Sequence, residues 1–217
     1  MGIGGQQLLT TPDFESASRY ILTRLDRELS PSLTYHSLSH TRDDVLPAAV
    51  RLGQAAHLSD ENLLLLKTAA VFHDSGFLFS YDNHEQHSIH LAREKLPDFG
   101  YSAAEIDIVA ETIAATRLPQ RPHTLLQQLM CDADLDLLGR DDFIELNRRL
   151  HEELMRVSKM PPPSPQVWLT SQIRFLENHS FFTGPAHESR DAGKSRNLAR
   201  IRSSLNSLNG SGALAAS

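Results

Sequence analysis

Two adjacent side chains, His73 and Asp74, close an apolar run that extends from Leu63 to Phe72. Desolvating an unpaired carboxylate is too costly for a buried helix to end this way without partners. A salt-bridge network, a hydrogen-bonded helix end or a metal ion would serve. Two other stretches favour the metal. Upstream, Tyr35-His36-Ser37-Leu38-Ser39-His40-Thr41 places His36 and His40 at i, i+4, on one helix face. Downstream, Met130 to Gly139 is an apolar segment interrupted by Asp132, Asp134 and Asp136. Imidazole and carboxylate together suit a divalent transition metal or Mg²⁺. One upstream His, His73 with Asp74, and one downstream Asp form a sparse set of ligands with positions left open, as catalytic sites have. Adjacent helical side chains diverge by about 100°, so other helices must complete the shell. Spacing does not separate His36 from His40. Asp132 and Asp134, two apart, face different sides, so one can ligate while the other caps or orients.

Further polar groups stand nearby in sequence. His84, Glu85, His87 and His90 crowd one stretch, and Glu85 is placed to orient or deprotonate a water. Lys67, Arg117 and Arg121 are candidate phosphate clamps. Arg117 is the best of them, because it ends the helix leading into the Asp134 segment and offers a planar fork. Trp168, Phe175, Phe181 and Phe182 are read as core; an aromatic wall for a nucleobase is the alternative.

The elements that must position these groups are all helical. The pattern predicts helices over about 12–29, 38–56, 60–73, 84–96, 102–116, 124–138, 141–159, 165–179 and 186–205. Thr11 with Pro12 opens the first, Ser59 caps the third, Ser102 with Glu105 forms a capping box, and Gly76 reads as a helix stop. The 60–73 helix, nearly all apolar from Leu63, is expected at the centre. No segment alternates with strand periodicity. Pro161-Pro162-Pro163 is read as a stiff kink within one domain, since the two helices after it are too few to bury their own core. Residues 1–11 are expected to be flexible, 12–206 to form the domain (metal-site core about 35–139, C-terminal helices about 141–206), and 207–217 to be a disordered tail.

Bulk properties narrow the setting. A chain of 217 residues, 40% apolar and 22% charged, supports one sizeable core. It holds no apolar run of membrane-spanning length and no signal-like N-terminus, and its single Cys131 fits a reducing compartment. A cytoplasmic location is therefore expected. The net charge of −6 argues against a dedicated nucleic-acid surface but does not forbid a phosphate substrate, because a metal and a few arginines can invert the field locally.

At the chemistry-bearing residues the chain resembles the HD-domain superfamily of metal-dependent phosphohydrolases, whose pattern is H…HD…D on a helical bundle. The matching residues are His40, His73-Asp74 and Asp134, flanked by Tyr35-His36, Asn83-His84-Glu85 and Asp132-Ala133-Asp134-Leu135. The likeness runs from about Tyr35 to Gly139. It implies an all-α, single-domain bundle of the HD type. It also implies a divalent ion held by His40, His73, Asp74 and Asp134; Mn, Mg, Fe, Co, Ni and Zn are not distinguished. His36, His84 and Asp132 are then candidates to support the ligands or to hold a second ion. Some HD proteins carry that second ion on two further histidines. His84 offers one, but the other position falls among Thr112, Ala115, Thr116 and Arg117, none a good ligand, so one ion is expected. The activity implied is hydrolysis of a nucleotide or other small phosphate ester, with Asp74 or Glu85 guiding water and Arg117 holding a phosphoryl oxygen. The alternatives are an HD-type di-iron oxygenase and a non-catalytic nucleotide-sensing domain; a homodimer is compatible with any of them.

Overall fold

In the computed structural model the described residues are 11–157 and 163–214. They form nine α-helices joined by short turns, with no strand among them. The helices are α1 (Phe14–Glu28), α2 (Leu46–Ala55), α3 (Asp60–Phe72), α4 (His84–Lys95), α5 (Ala103–Ala114), α6 (Leu125–Asp134), α7 (Phe143–Val157), α8 (Pro165–Asn178) and α9 (Gly184–Leu214). The all-α, single-domain bundle expected from the sequence is what forms. None of these helices is long and apolar enough to cross a membrane.

α3 is the axis of the bundle, packed against α1, α2, α5 and α6. Its run of Leu65, Leu66, Ala69, Ala70, Val71 and Phe72 is buried on every side, which explains why its sequence lacks a polar face. Ser59 caps its start by accepting from the Asn62 amide at 3.3 Å. α5 and α6 carry the capping boxes Ser102/Glu105 and Thr124/Gln127. α8 and α9 pack against each other, and Leu176 and Ile201 belong to the same core as α3. The part of the triple proline at 161 and 162 lies outside the described residues, as do residues 1–10 and 215–217.

Several expectations need correction. Asp13, not Thr11, caps α1, accepting from the Ser16 amide at 2.9 Å. The 38–56 segment is not one α-helix, because His40–Val45 is a π-helical turn in which the Leu46 amide reaches back five residues to the Thr41 carbonyl. Pro47 accounts for it: the ring has no N–H to give and would collide with the Asp43 carbonyl in a regular helix. The 124–138 segment breaks at Leu135 into α6 and a 3₁₀ turn, Asp136–Gly139. α9 starts at Gly184, with Pro185 in its first turn, and continues to Leu214 through what was expected to be a tail, since no proline follows to stop it.

Gly76 is not a left-handed helix stop. Its position is forced by space, because a Cβ there would lie 1.8 Å from the backbone carbonyl oxygen of His84. α9 is seated in a similar way. A Cβ on Gly193 would lie 1.9 Å from the Gly139 carbonyl oxygen. Gly76→Ala is expected to cost about 3 kcal/mol, the upper end for overpacking, because the obstacle is backbone and cannot rotate away. Urea unfolding measures this; a loss under about 1 kcal/mol would show that α4 shifts freely.

Candidate metal centre

The end of α3 delivers the central pair. His73 follows the last helical residue, where the final carbonyls of a helix lack internal partners. Its Nδ1 donates to the Ala70 carbonyl at 2.8 Å. That bond fixes the tautomer in the neutral ring and leaves Nε2 with a bare lone pair aimed inward. Asp74 lies one residue on, in the transition to the 3₁₀ turn Ser75–Leu78. The turn is pinned by Ser75 Oγ donating to the Phe72 carbonyl at 2.7 Å and by the Gly76 amide donating to Ser88 Oγ at 2.7 Å.

Two more side chains reach the same point. His40, at the start of the π-helical turn, is buried with its Nδ1 4.0 Å from Asp44. Asp44 is in turn held by Arg140. The Nε2 of His40 lies 3.6 Å from Asp74 Oδ2 and 3.6 Å from Asp134 Oδ1. The Nε2 of His73 lies 3.2 Å from Asp74 Oδ2 and 3.4 Å from Asp134 Oδ1. Asp134 is the last residue of α6.

These separations fit a shared cation better than hydrogen bonds. His73 Nε2 and Asp74 Oδ2 are buried and have no hydrogen-bond partner, a costly state unless something else pairs with them. Ligand atoms each about 2.1 Å from one ion stand roughly 3.0–3.5 Å apart at octahedral or tetrahedral angles. The ligand atoms of His40, His73 and Asp74 all lie within 4.8 Å of one another. A buried His/His/Asp cluster that could coordinate a divalent metal is therefore present, and Asp134 adds a second carboxylate at its edge. The electrostatics agree. Burial pushes the His73 imidazole down, but the carboxylates of Asp74 and Asp134 outweigh it and its pKa is raised well above the ordinary value. Burial works to raise Asp134, yet His40 and His73 hold it down at about 2. Asp74 is likewise held well below the carboxylate range, against its burial, chiefly by His73.

The remaining predicted residues divide. His84 joins the cluster from the other side, its Nε2 3.5 Å from Asp74 Oδ1 and its ring stacked on Phe77 at 4.0 Å. Glu85, buried, sits beside it, Oε1 3.7 Å from His84 Nε2. Asp74 thus turns one oxygen to His40 and His73 and the other to His84. Arg117 is exposed and stands on the cavity wall described below. His36 turns its Nδ1 away from the cluster onto Glu153.

Asp132 does not belong to the site. Two residues before Asp134, it faces the opposite side of α6 and accepts from the amides of Phe182 and Thr183 and from the Thr183 hydroxyl at 2.7–2.9 Å. Its role is to hold the start of α9, and burial raises its pKa. Asp136 is also structural, forming a bidentate pair with Arg190 at 2.7 and 2.8 Å and a third bond to Arg51. Lys67 is no phosphate clamp: its ammonium lies 4.0 Å over the Phe14 ring.

Glu153 is the group that sequence reasoning missed. Its side chain is fully buried on α7. It pairs with His36 Nδ1, and it accepts from the Tyr35 amide at 2.8 Å and the His36 amide at 3.0 Å. The signal was available: Glu153 falls on the same α7 face as Phe143, Leu146 and Leu150, where a carboxylate is out of place unless paired.

A cavity of about 500 Å³ opens beside the cluster. It is lined by His36, Asp74, His84, Glu85 and Asp134 of the polar cluster and by many apolar side chains, among them Phe143, Trp168 and Phe175. Trp168 and Phe181 are buried as expected, and Trp168 also borders the cavity, as does the partly buried Phe175; Phe182, expected in the core, is exposed, with its amide turned to Asp132. The cavity's size is that of a small-molecule site. Comparison with protein-family models, curated proteins and solved structures finds no match for this chain.

Proposed function

We propose that this protein is a metal-dependent phosphohydrolase of the HD-domain type, acting on a nucleotide or other small phosphate ester. The observation that supports this most strongly is the convergence of four donor atoms, two of them buried and unpartnered, beside a cavity that Asp74 and Asp134 line. A divalent ion bound there supplies Lewis acidity that acidifies water and offsets charge on the phosphoryl group. His40, His73, Asp74 and Asp134 would hold it.

The chain's other groups have separable tasks. Asp74 or Glu85 orients the attacking water and accepts its proton on a carboxylate oxygen. The water oxygen forms the new bond to phosphorus, the ester P–O bond breaks, and its electron pair leaves with the departing oxygen. His36, with Nδ1 fixed by Glu153, has Nε2 left to give that oxygen a proton. Arg117 holds a non-bridging oxygen.

The test is reconstitution of metal-stripped protein with Mn²⁺, Co²⁺, Mg²⁺, Zn²⁺ and Fe²⁺ in turn. It is followed by phosphate release from nucleotides, cyclic nucleotides and model phosphodiesters. A metal at a hundred times its Kd is expected to stabilise the fold by about 2.7 kcal/mol. Stabilisation without turnover on any ester would overturn the hydrolase reading; no stabilisation by any of the five would overturn the metal site.

A second reading is an HD-type di-iron oxygenase, favoured by one observation, the approach of His84 to the free oxygen of Asp74. Its other requirement is weak: Thr116 stands at the corresponding place and its hydroxyl is spent on the Ile113 carbonyl at 2.8 Å. Two irons per chain with substrate-dependent oxygen uptake would establish it.

A further inference from the structure

One side of the cavity carries a directed chain of hydrogen bonds that metal chemistry does not use. The indole of Trp168 can only donate, and its Nε1 donates to Asn147 Oδ1 at 3.1 Å. That assignment forces the Asn147 amide nitrogen outward, where Nδ2 donates to Gln172 Oε1 at 2.6 Å. The Gln172 oxygen is thereby engaged, which leaves Nε2 as the donor end of a side chain that lines the cavity. Polarity runs one way along the relay, from indole to a terminal N–H pair. The walls beside it are flat. Trp168 is backed by the stacked ring of His151 at 4.7 Å and 19°, which restrains the indole plane.

Two further observations set the size and charge of what fits. Asn147 and Glu153 are six residues apart on α7, about 9 Å along its axis, and Glu153 marks the metal end through His36. Positive charge is scarce: among the described residues lining the cavity, Arg117 is the single Lys or Arg, while Asp74, Asp82, Glu85 and Asp134 are acidic. A bound ion and Arg117 together match one phosphoryl group. A second and third phosphate would meet carboxylates and apolar wall.

We propose that this cavity selects a monophosphate ester whose far end is a flat, uncharged ring with a hydrogen-bond acceptor on its edge, and that Gln172 Nε2 reads that acceptor. This rests on the phosphohydrolase reading for the orientation of the phosphate, but the ring end is a binding claim with its own readout. Gln172 is a specificity-determining residue that acts on the part of the ligand remote from the reacting bond.

Calorimetric titration of the full chain in Mn²⁺ tests it, with uridine 5′-monophosphate, ribose 5-phosphate and uridine 5′-triphosphate as probes. The monophosphate carries ring and one phosphate, the sugar phosphate lacks the ring, and the triphosphate adds charge. The uridine monophosphate is expected to bind at least tenfold more tightly than either of the others. Gln172→Leu should weaken it about tenfold, the worth of one hydrogen bond, and leave ribose 5-phosphate unchanged. Gln172→Glu keeps the oxygen that Asn147 needs but turns the outward donor into an acceptor, so it should weaken the ring ligand more than leucine does. Thermal unfolding of both variants confirms that they fold. Equal binding of all three probes, tighter binding of the triphosphate, or indifference to both substitutions overturns the proposal. Selective binding with no phosphate release would leave this inference standing and remove the hydrolase.

Discussion

Asp74→Ala is expected to remove both metal-dependent stabilisation and turnover, the latter by on the order of 10³-fold or more, as for loss of a central electrostatic contributor. The size follows from position. Among the described residues, Asp74 is the one side chain that faces His40, His73 and His84 at once, with Oδ2 on two of the imidazoles and Oδ1 on the third. Neighbouring residues cannot replace it: Ser75 Oγ is committed to the Phe72 carbonyl, and Asp132 faces α9. The check is metal content by elemental analysis, the shift in unfolding temperature on adding Mn²⁺, and phosphate release. A variant that kept a full metal-induced shift would show that the ion sits elsewhere, and one that kept turnover would show that Asp74 is dispensable to the chemistry.

Glu153→Ala is expected to be the most damaging change to stability outside the core hydrophobics. Breaking a buried ion pair from one side costs about 3–5 kcal/mol, on the order of 10 °C in unfolding temperature for a chain of this size. Here the loss also leaves the buried Tyr35 and His36 amides without their acceptor. Glu153→Gln, which keeps an acceptor oxygen, should cost less than half as much. The pair also sets a pH dependence. Burial raises the Glu153 carboxyl, but His36 and the two amides hold it below its ordinary 4.5. Its contribution is complete above that value and is lost as pH falls through the depressed one. Burial lowers the His36 imidazole, but Glu153 and then Asp74 bring it above its ordinary 6.5. That contribution is complete below 6.5 and is lost as pH rises through the raised value. The stability gap between wild type and Glu153→Ala, measured with chelator present, should be widest between about pH 4.5 and 6.5 and narrow on both sides. A gap that does not vary with pH would mean that the pair is not ionised.

The helices and the His73-Asp74 pair were legible in the sequence because they rest on local signals, whereas the choice of His40 over His36 and of Asp134 over Asp132 came from the likeness to the HD pattern. Ser59, Ser102 and Thr124 cap their helices through bonds three residues away, and a buried helix ending in His73-Asp74 stands out against any apolar background. What was not legible depends on distant partners. Asp132 and Asp134 look alike in local pattern; that Asp132 is an anchor follows from the arrival of Phe182 and Thr183, fifty residues on. Glu153 was hidden by its neighbour Glu152 in an amphipathic helix, and its partner lies 117 residues upstream. Trp168 was read as core because periodicity reports burial and not what a buried ring borders. The π-helical turn at His40 was missed because the 38–56 helix was read straight through Pro47, whose effect falls one turn earlier.

The seam between Gly139 and Gly193 has a consequence for tracing this chain's kin. Backbone meets backbone there, a Cβ on Gly193 meeting the Gly139 carbonyl and one on Gly139 meeting that of Arg190, so neither position can accept even a methyl group while α9 keeps its seat. Substitution at this crossing is closed in a way that it is not for the histidines, whose types recur in many unrelated helices. A glycine directly after the Asp-Leu-Leu of the 3₁₀ turn, matched by a second some fifty residues later, is therefore a fingerprint by which distant descendants of the same ancestor could be told from chance look-alikes.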